Sequence, residues 1–365
     1  MSNSRVQIAK IDLKEPFKLK KGGELVELEL AYSTYGKLNE DASNAILVCH
    51  ALTMDSQCGT IENDEKQGWW DFMIGPGKGI DTSRYFIICA NVLGGCKGST
   101  GPTSINPATG EPYGKNFPEI TIRDMVKSQA LLLDHFGIDK LHAVIGGSLG
   151  GMQALEWSIL YPERMERCVA IATGARLSTQ GLAFDIVGRQ CILNDPEWDS
   201  DKNESEQQNT GLALARMIGH ITYISKNMMD KKFGRKLQKG WKDSGFNTGF
   251  AIESFLKYQG EKFIKRFDTN SYLFLSKAMD SYDMSSGYES LGECIQNVRC
   301  KYLVISFSSD WLFPPEDSID LAWSLSNAGK EATYANIKTD LGHDAFLIDA
   351  PEIASMKNIV KGFLK

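Results

Sequence analysis

The chain has 365 residues, 42% of them hydrophobic and 24% charged, and its 40 basic against 46 acidic residues leave a net charge of −6. That length suits one large domain or two, with enough chain to bury a substantial core, and the acidic balance gives no electrostatic case for a nucleic-acid partner. No apolar run approaches the ~18 residues of a membrane helix.

The opening Met-Ser-Asn-Ser-Arg-Val-Gln lacks the apolar centre of a secretory signal, so a soluble cytoplasmic protein is expected. Cys49, Cys58, Cys89, Cys96, Cys168, Cys191, Cys294 and Cys300 form no CxxC pair, and several sit in apolar runs. They read as reduced, mostly core thiols, with neither a metal site nor a disulfide framework expected.

The first third of the chain reads as strands and turns. Leu25 to Tyr32 alternates apolar and polar residues, the pattern of a half-buried strand. Asn44 to Cys49 and Tyr85 to Ala90 are continuous apolar runs, the form of parallel strands buried on both faces. Each leads into a loop of small and polar residues, HALTMDSQCG and NVLGGCKGSTGP. Asp124 to Phe136 has helical spacing with Gly137 as its C-cap, Leu141 to Ile145 is the next strand, Met152 to Leu160 the next helix, and Cys168 to Ala172 another strand. Strands alternating with helices predict a mostly parallel α/β sheet.

After about residue 176 this rhythm breaks. Residues 177–297 carry helical patterns, a charged segment from Asp195 to Gln208, and no convincing buried strand. The rhythm returns at Tyr302 to Phe307 and Ala332 to Ile337, and the chain ends in an amphipathic tail from Pro351. The economical division is one α/β core formed by residues 1–176 and 298–365, interrupted by a helical lid at 177–297. Insertions over an active face commonly act as lids.

The chemistry-bearing signal is Gly146-Gly147-Ser148-Leu149-Gly150, which places Ser148 in a G-x-S-x-G nucleophile elbow between a buried strand and a helix. A serine on such a turn has strained dihedrals, and glycine on either side avoids a clash. An ordinary strand–helix turn is the competing reading; a dinucleotide loop is not, because the G-x-G-x-x-G register is absent. An elbow serine calls for an acid and then a histidine at later strand ends. Of His50, His135, His142, His220 and His343, only the last lies beyond the lid, between the final strand and the final helix. Asp310 follows the penultimate strand and is the expected acid, although by itself it also reads as a turn residue or helix cap. Asp340 and Asp344 flank the histidine and stand as alternatives. The backbone N–H groups of Leu52 and Leu149 are the candidate oxyanion hole. His50 reads as a structural residue that positions its loop, and Cys96 as a loop-packing thiol.

Taken together, NAILVCHALTMDSQ, GWWDFMIGPGKGIDTSRYFIICANVLGGCKGSTGP, GGSLGGMQALEW, LALARMIGHITYIS, FDTNSYLFLSKAMD and GHDAFLID resemble the homoserine O-acetyltransferases of the α/β-hydrolase superfamily. The resemblance runs from about residue 25 to the C-terminal region, lid included. It implies the α/β-hydrolase fold and a ping-pong acyl transfer within methionine biosynthesis. His343, oriented by Asp310, activates Ser148 to accept an acetyl group from acetyl-CoA, a substrate rather than a bound cofactor, and then passes that group to L-homoserine. It further implies that Arg216 pairs with the homoserine carboxylate, with Tyr223 nearby, that Asp344 holds the ammonium, and that a homodimer forms through lid helices. Arg216 alone would read as an ordinary lid-helix arginine. The chain departs from the family pattern at Met54, where Gly often precedes Asp55. Succinyl transfer, a serine acceptor, or a serine esterase on the same fold therefore stay open.

Overall fold

The continuous apolar runs become the inner strands of one eight-stranded sheet. The computed structural model describes residues 6–60, 67–198, 209–242 and 245–365. The strands are β1 (Gln7–Ile11), β2 (Leu28–Tyr35), β3 (Ala45–Cys49), β4 (Phe86–Ala90), β5 (Ala143–Gly147), β6 (Arg167–Ile171), β7 (Lys301–Phe307) and β8 (Ala332–Ile337). They lie side by side in the order β1-β2-β4-β3-β5-β6-β7-β8. β2 is antiparallel to both neighbours, and the six strands from β4 to β8 across the sheet are parallel. This is the mostly parallel sheet that the alternating pattern predicts.

Helices α1 (Ile122–His135) and α2 (Leu149–Leu160) flank β5 in sequence. Between β6 and β7 the chain folds into α3 (Thr179–Leu193), α4 (Thr210–Tyr223), α5 (Lys226–Lys232), α6 (Ala251–Ile264), α7 (Thr269–Asp280) and α8 (Leu291–Ile295), and no strand of the sheet falls there among the described residues. Then α9 (Pro315–Asn327) links β7 to β8, and α10 (Ala354–Phe363) ends the chain.

The period of two along each strand divides the core between the two faces. Leu47, Ile88, Val144, Ala170 and Val304 pack with Met125, Leu132, Met152, Leu155 and Leu321 from α1, α2 and α9. Their neighbours Val48, Ile87, Ile145, Val169 and Leu303 face the other way, onto Met356, Val360 and Leu364 at the C-terminal end. Both faces are covered, which is why these strands read as unbroken apolar runs. All eight cysteines are free; Cys96 and Cys191 are half-buried and the other six are buried. Among the described residues no helix is long and apolar enough to cross a membrane.

Several boundaries differ from the sequence expectation for local reasons. The alternating run at Leu25 splits: Leu25 pairs with Phe17 in a short hairpin that turns at Gly22 and Gly23, and β2 begins only at Leu28. Leu141 makes an isolated bridge to Met165, so β5 starts at Ala143 and runs on to Gly147, up to the serine. Helix α1 starts before Asp124 because Thr121 caps it. The Thr121 hydroxyl accepts from the Asp124 N–H, and the Asp124 carboxylate accepts from the Thr121 N–H. Strand β1 and helix α9 are additions to the predicted set. The opening Met1 to Arg5, and the charged segment from residue 199 to 208, lie outside the described residues.

What positions the site is a crowded contact of three backbones. A Cβ placed on Gly146 would lie 2.1 Å from the Gly150 carbonyl oxygen, and one on Gly150 would lie 2.1 Å from that of Cys49. Backbone cannot rotate away as a side chain can. Gly150→Ala is therefore expected to lower unfolding stability by about 2–4 kcal/mol, read as a fall in the urea midpoint.

Candidate active site

Ser148 lies between β5 and α2 with φ 57° and ψ −123°, a region that side-chain-bearing residues rarely occupy. The turn is held at both ends: the Ser148 N–H donates to the Ile171 carbonyl at 2.9 Å, and the Ser148 carbonyl accepts from the Met152 N–H at 3.1 Å. The hydroxyl is thereby presented at the carboxyl end of the parallel strands, where open α/β sheets place their ligand crevices. Leu149 is the first residue of α2, so its N–H is one of the donors at a helix start without an intrahelical acceptor.

Asp310 follows β7. One carboxylate oxygen accepts from the N–H groups of Leu312 at 3.0 Å and Phe313 at 2.9 Å. The other accepts from His343 Nδ1 at 2.7 Å. With Nδ1 donating, Nε2 of the neutral ring carries the lone pair. Phe313 stacks on the imidazole with ring centres 5.4 Å apart, and Phe346 meets it edge-on. Burial by itself would depress the His343 pKa, but the charge and hydrogen bond of Asp310, aided by Asp344, more than offset it and hold it above the ordinary 6.5. Asp340 instead accepts from Asn227 at 3.1 Å in an exposed contact, so of the acids considered Asp310 is the one bonded to the imidazole.

Ser148 and His343 line one narrow cavity of about 60 Å³ together with Leu52, Arg216, Tyr223 and Asp344. Arg216, nine-tenths buried on α4, donates from Nη1 to the Thr53 hydroxyl at 3.3 Å, and its guanidinium faces the rings of Tyr223 and Phe263 at 5.4 and 4.8 Å. Burial, with Asp185 and Asp344 adding to it against Arg216, pushes the Tyr223 hydroxyl up to about 12. Burial likewise raises the Asp344 carboxyl, against the opposing pull of His343 and Arg216. The cavity thus offers a cation and an acid together with the serine and the imidazole.

The loop that carries Leu52 is anchored from below. Val92 N–H donates to His50 Nε2 at 3.0 Å, so the ring is the neutral tautomer whose Nδ1–H donates to the Ala51 carbonyl at 2.8 Å. Burial keeps the His50 pKa low. Gln153 of α2 donates to the His50 carbonyl at 3.3 Å and accepts from Gln129 of α1 at 2.6 Å, and Gln129 in turn accepts from the Trp157 indole. His50 is structural, as its place in sequence suggests. Cys96 is packed as expected: its sulfur accepts from the Asp268 N–H, and burial raises the thiol pKa.

Of the residues named from the sequence, Leu52, Ser148, Arg216, Tyr223, His343 and Asp344 line this cavity, Asp310 stands behind His343, and Leu149 is buried in the core and is not among the lining residues. The sequence reading missed Thr53, Asp185 and Tyr272, which also line the cavity. Thr53 was within reach as part of the oxyanion loop. Asp185 had no local signal, because its carboxyl is raised by burial and by contact with Asp280, a residue of α7 that is distant in sequence.

The strand order, the elbow serine and the acid-bonded histidine define the class, a protein of the α/β-hydrolase fold. Residues 44–349 match the sequence profile of that family, described as alpha/beta hydrolase fold. Within it, the chain is 50% identical over 360 residues to homoserine O-acetyltransferase of Methanohalobium evestigatum, covering 98% of this chain and 73% of that protein. The structure of homoserine O-acetyltransferase from Bacillus anthracis superposes with a TM-score of 0.89 at 31% identity, over 99% of this chain and 98% of that one. Esterase E22 superposes with the same score at 29% identity, over 99% and 100% of the two chains. The chain belongs to the homoserine O-acetyltransferase family.

The opposing effects on His343 give a signed expectation. A nitrogen-resolved NMR titration should place its midpoint above 6.5 in the unsubstituted protein. In Asp310→Asn it should fall below 6.5, because burial then outweighs what Asp344 supplies.

Proposed function

We propose that this protein transfers the acetyl group of acetyl-CoA to the hydroxyl of L-homoserine through an acetyl-serine intermediate. The observation that carries this reading is the cavity itself, in which Arg216 and Asp344 stand with Ser148 and His343. A zwitterionic amino acid needs one cation and one anion at its charged end and a reactive centre at the reach of its side chain.

In the first half-reaction His343 Nε2 takes the proton of Ser148 as Oγ attacks the thioester carbon. The N–H groups of Leu52 and Leu149 receive the developing oxyanion. The C–S bond then breaks, and the thiol leaves with the proton from His343. In the second, Arg216 holds the carboxylate of homoserine and Asp344 its ammonium. Asp344 is then ionised, because the ammonium favours its charged form against the burial that raises it. His343 takes the proton of the acceptor hydroxyl, the new ester forms, and Ser148 recovers its proton.

The narrowness of the cavity and the presence of Met54 in its wall favour acetyl over succinyl transfer. The helices of residues 177–297 serve as a lid that keeps water from the acyl-serine. Exposed Ile186, Val187, Leu214, Ile221 and Tyr258 on α3, α4 and α6 support a homodimer through these helices. The activity belongs in the cytoplasm, in methionine biosynthesis, with small-molecule substrates and no bound cofactor.

The likeness to esterase E22 favours one second reading, hydrolysis, in which water replaces homoserine. Rapid-mixing measurements of thiol release separate the two. The transferase releases about one equivalent of CoA in a burst without homoserine and turns over continuously only with it; continuous release without homoserine contradicts transfer. Ser148→Ala is expected to abolish the burst. Arg216→Ala should retain a burst but raise the KM for homoserine by roughly 100-fold, the equivalent of about 3 kcal/mol for a lost buried charge-assisted contact. A mutant that loses only the burst would contradict the role given to Arg216.

A further inference from the structure

A second chamber, of about 500 Å³, adjoins the catalytic cavity and shares Thr53, Met54 and Arg216 with it. Its wall also carries Lys97, Lys262 and Arg266, and Asp55 is the one acidic side chain among its described lining residues. In a chain of net charge −6 this is a local reversal of sign. Among the described residues none of these four cations is in an ion pair.

Arg266 is the informative member. It donates to the Thr53 carbonyl at 3.0 Å, while Arg216 donates to the hydroxyl of the same threonine. Both guanidinium groups also face the ring of Phe263, at 5.1 and 4.8 Å. Two like charges are thus held side by side around one threonine and one phenyl ring, and burial together with Arg216 lowers the Arg266 pKa. In the reading above Arg216 is assigned to the acceptor carboxylate in the second half-reaction, and Arg266 faces the outer chamber with Lys97 and Lys262. Such a group of cations is stabilised when an anion enters. Trp69, half-buried on the same wall, adds an aromatic surface beside them.

We infer that this chamber is an anion-binding vestibule in which Lys97, Lys262 and Arg266 hold the phosphate groups of the acyl donor while its thioester end passes Thr53 and Met54 to reach Ser148. The inference rests on the acyl-transfer reading. It adds the part of the donor recognised outside the catalytic cavity and the residues that recognise it.

The test compares two thioesters that differ in their phosphates, acetyl-CoA and S-acetylpantetheine, by the kcat/KM for thiol release in the first half-reaction. The unsubstituted protein is expected to prefer acetyl-CoA by ~30-fold or more, with a preference that falls as salt is added. In Lys97→Gln/Lys262→Gln, which changes one half-buried and one exposed side chain, that preference should shrink by ~10-fold. Equal use of the two thioesters by the unsubstituted protein, or a preference that the double substitution leaves in place, overturns the vestibule. Thiol release from neither donor contradicts acyl transfer itself, and the vestibule with it.

Discussion

The close approach of three backbone segments around Ser148 is the constraint on which the rest of the site depends. The end of β3 and the first turn of α2 meet at Cys49 and Gly150, and the end of β5 meets α2 at Gly146, each contact too tight for a Cβ. The chain escapes through a turn that puts Ser148 at φ 57°. A non-glycine residue in so sparsely populated a region costs on the order of 1–3 kcal/mol. The Ile171 carbonyl and the Met152 N–H fix the turn from both sides and offset part of that cost. The strain is therefore stored where it fixes the Ser148 hydroxyl at the carboxyl end of the parallel strands. The same turn places the Leu149 N–H beside that hydroxyl without any dedicated side chain.

Around this fixed point the electrostatics are assembled from distant parts of the chain. Asp310 and His343 are brought together by β7 and β8, which deliver the two loops to neighbouring positions on the sheet. A single contact then sets the imidazole's orientation, its tautomer and the sign of its pKa shift. Arg216 arrives from α4, in the stretch that interrupts the sheet, and is held by Thr53 of the loop after β3. The cavity is consequently complete only when the 177–297 helices are seated on the sheet. That dependence gives a physical reason for a helical insertion to be retained at this place in the chain.

Legibility in the sequence followed from how local each signal was. The inner strands were visible because both faces are covered, which removes polar positions and leaves runs such as AILVC and FIICA. β1 was missed because it is an edge strand with Ile8 turned to solvent, so its pattern carries little apolar contrast. Helix α9 was missed although Ser318, Leu321, Ala322 and Leu325 recur at helical spacing, because Pro314 and Pro315 read as loop. Ser148 and His343 could be found from a motif and from chain order. Arg216, Tyr223 and Asp344 came from the family resemblance, since nothing near them in sequence marks them as cavity residues. Asp185 and Arg266 are defined by what folding brings against them, and a one-dimensional reading has no term for that.

The account's central claim is that the Ser148 hydroxyl, served by His343, becomes covalently acylated by the donor. Intact-protein mass spectrometry after acid quench, followed by peptide mapping, tests it most directly. Mixing with acetyl-CoA in the absence of acceptor should add the mass of one acetyl group, located on the peptide that contains Ser148, and later addition of homoserine should remove it. An unmodified chain under conditions of measurable turnover, or an acetyl group located on another residue, would contradict the account.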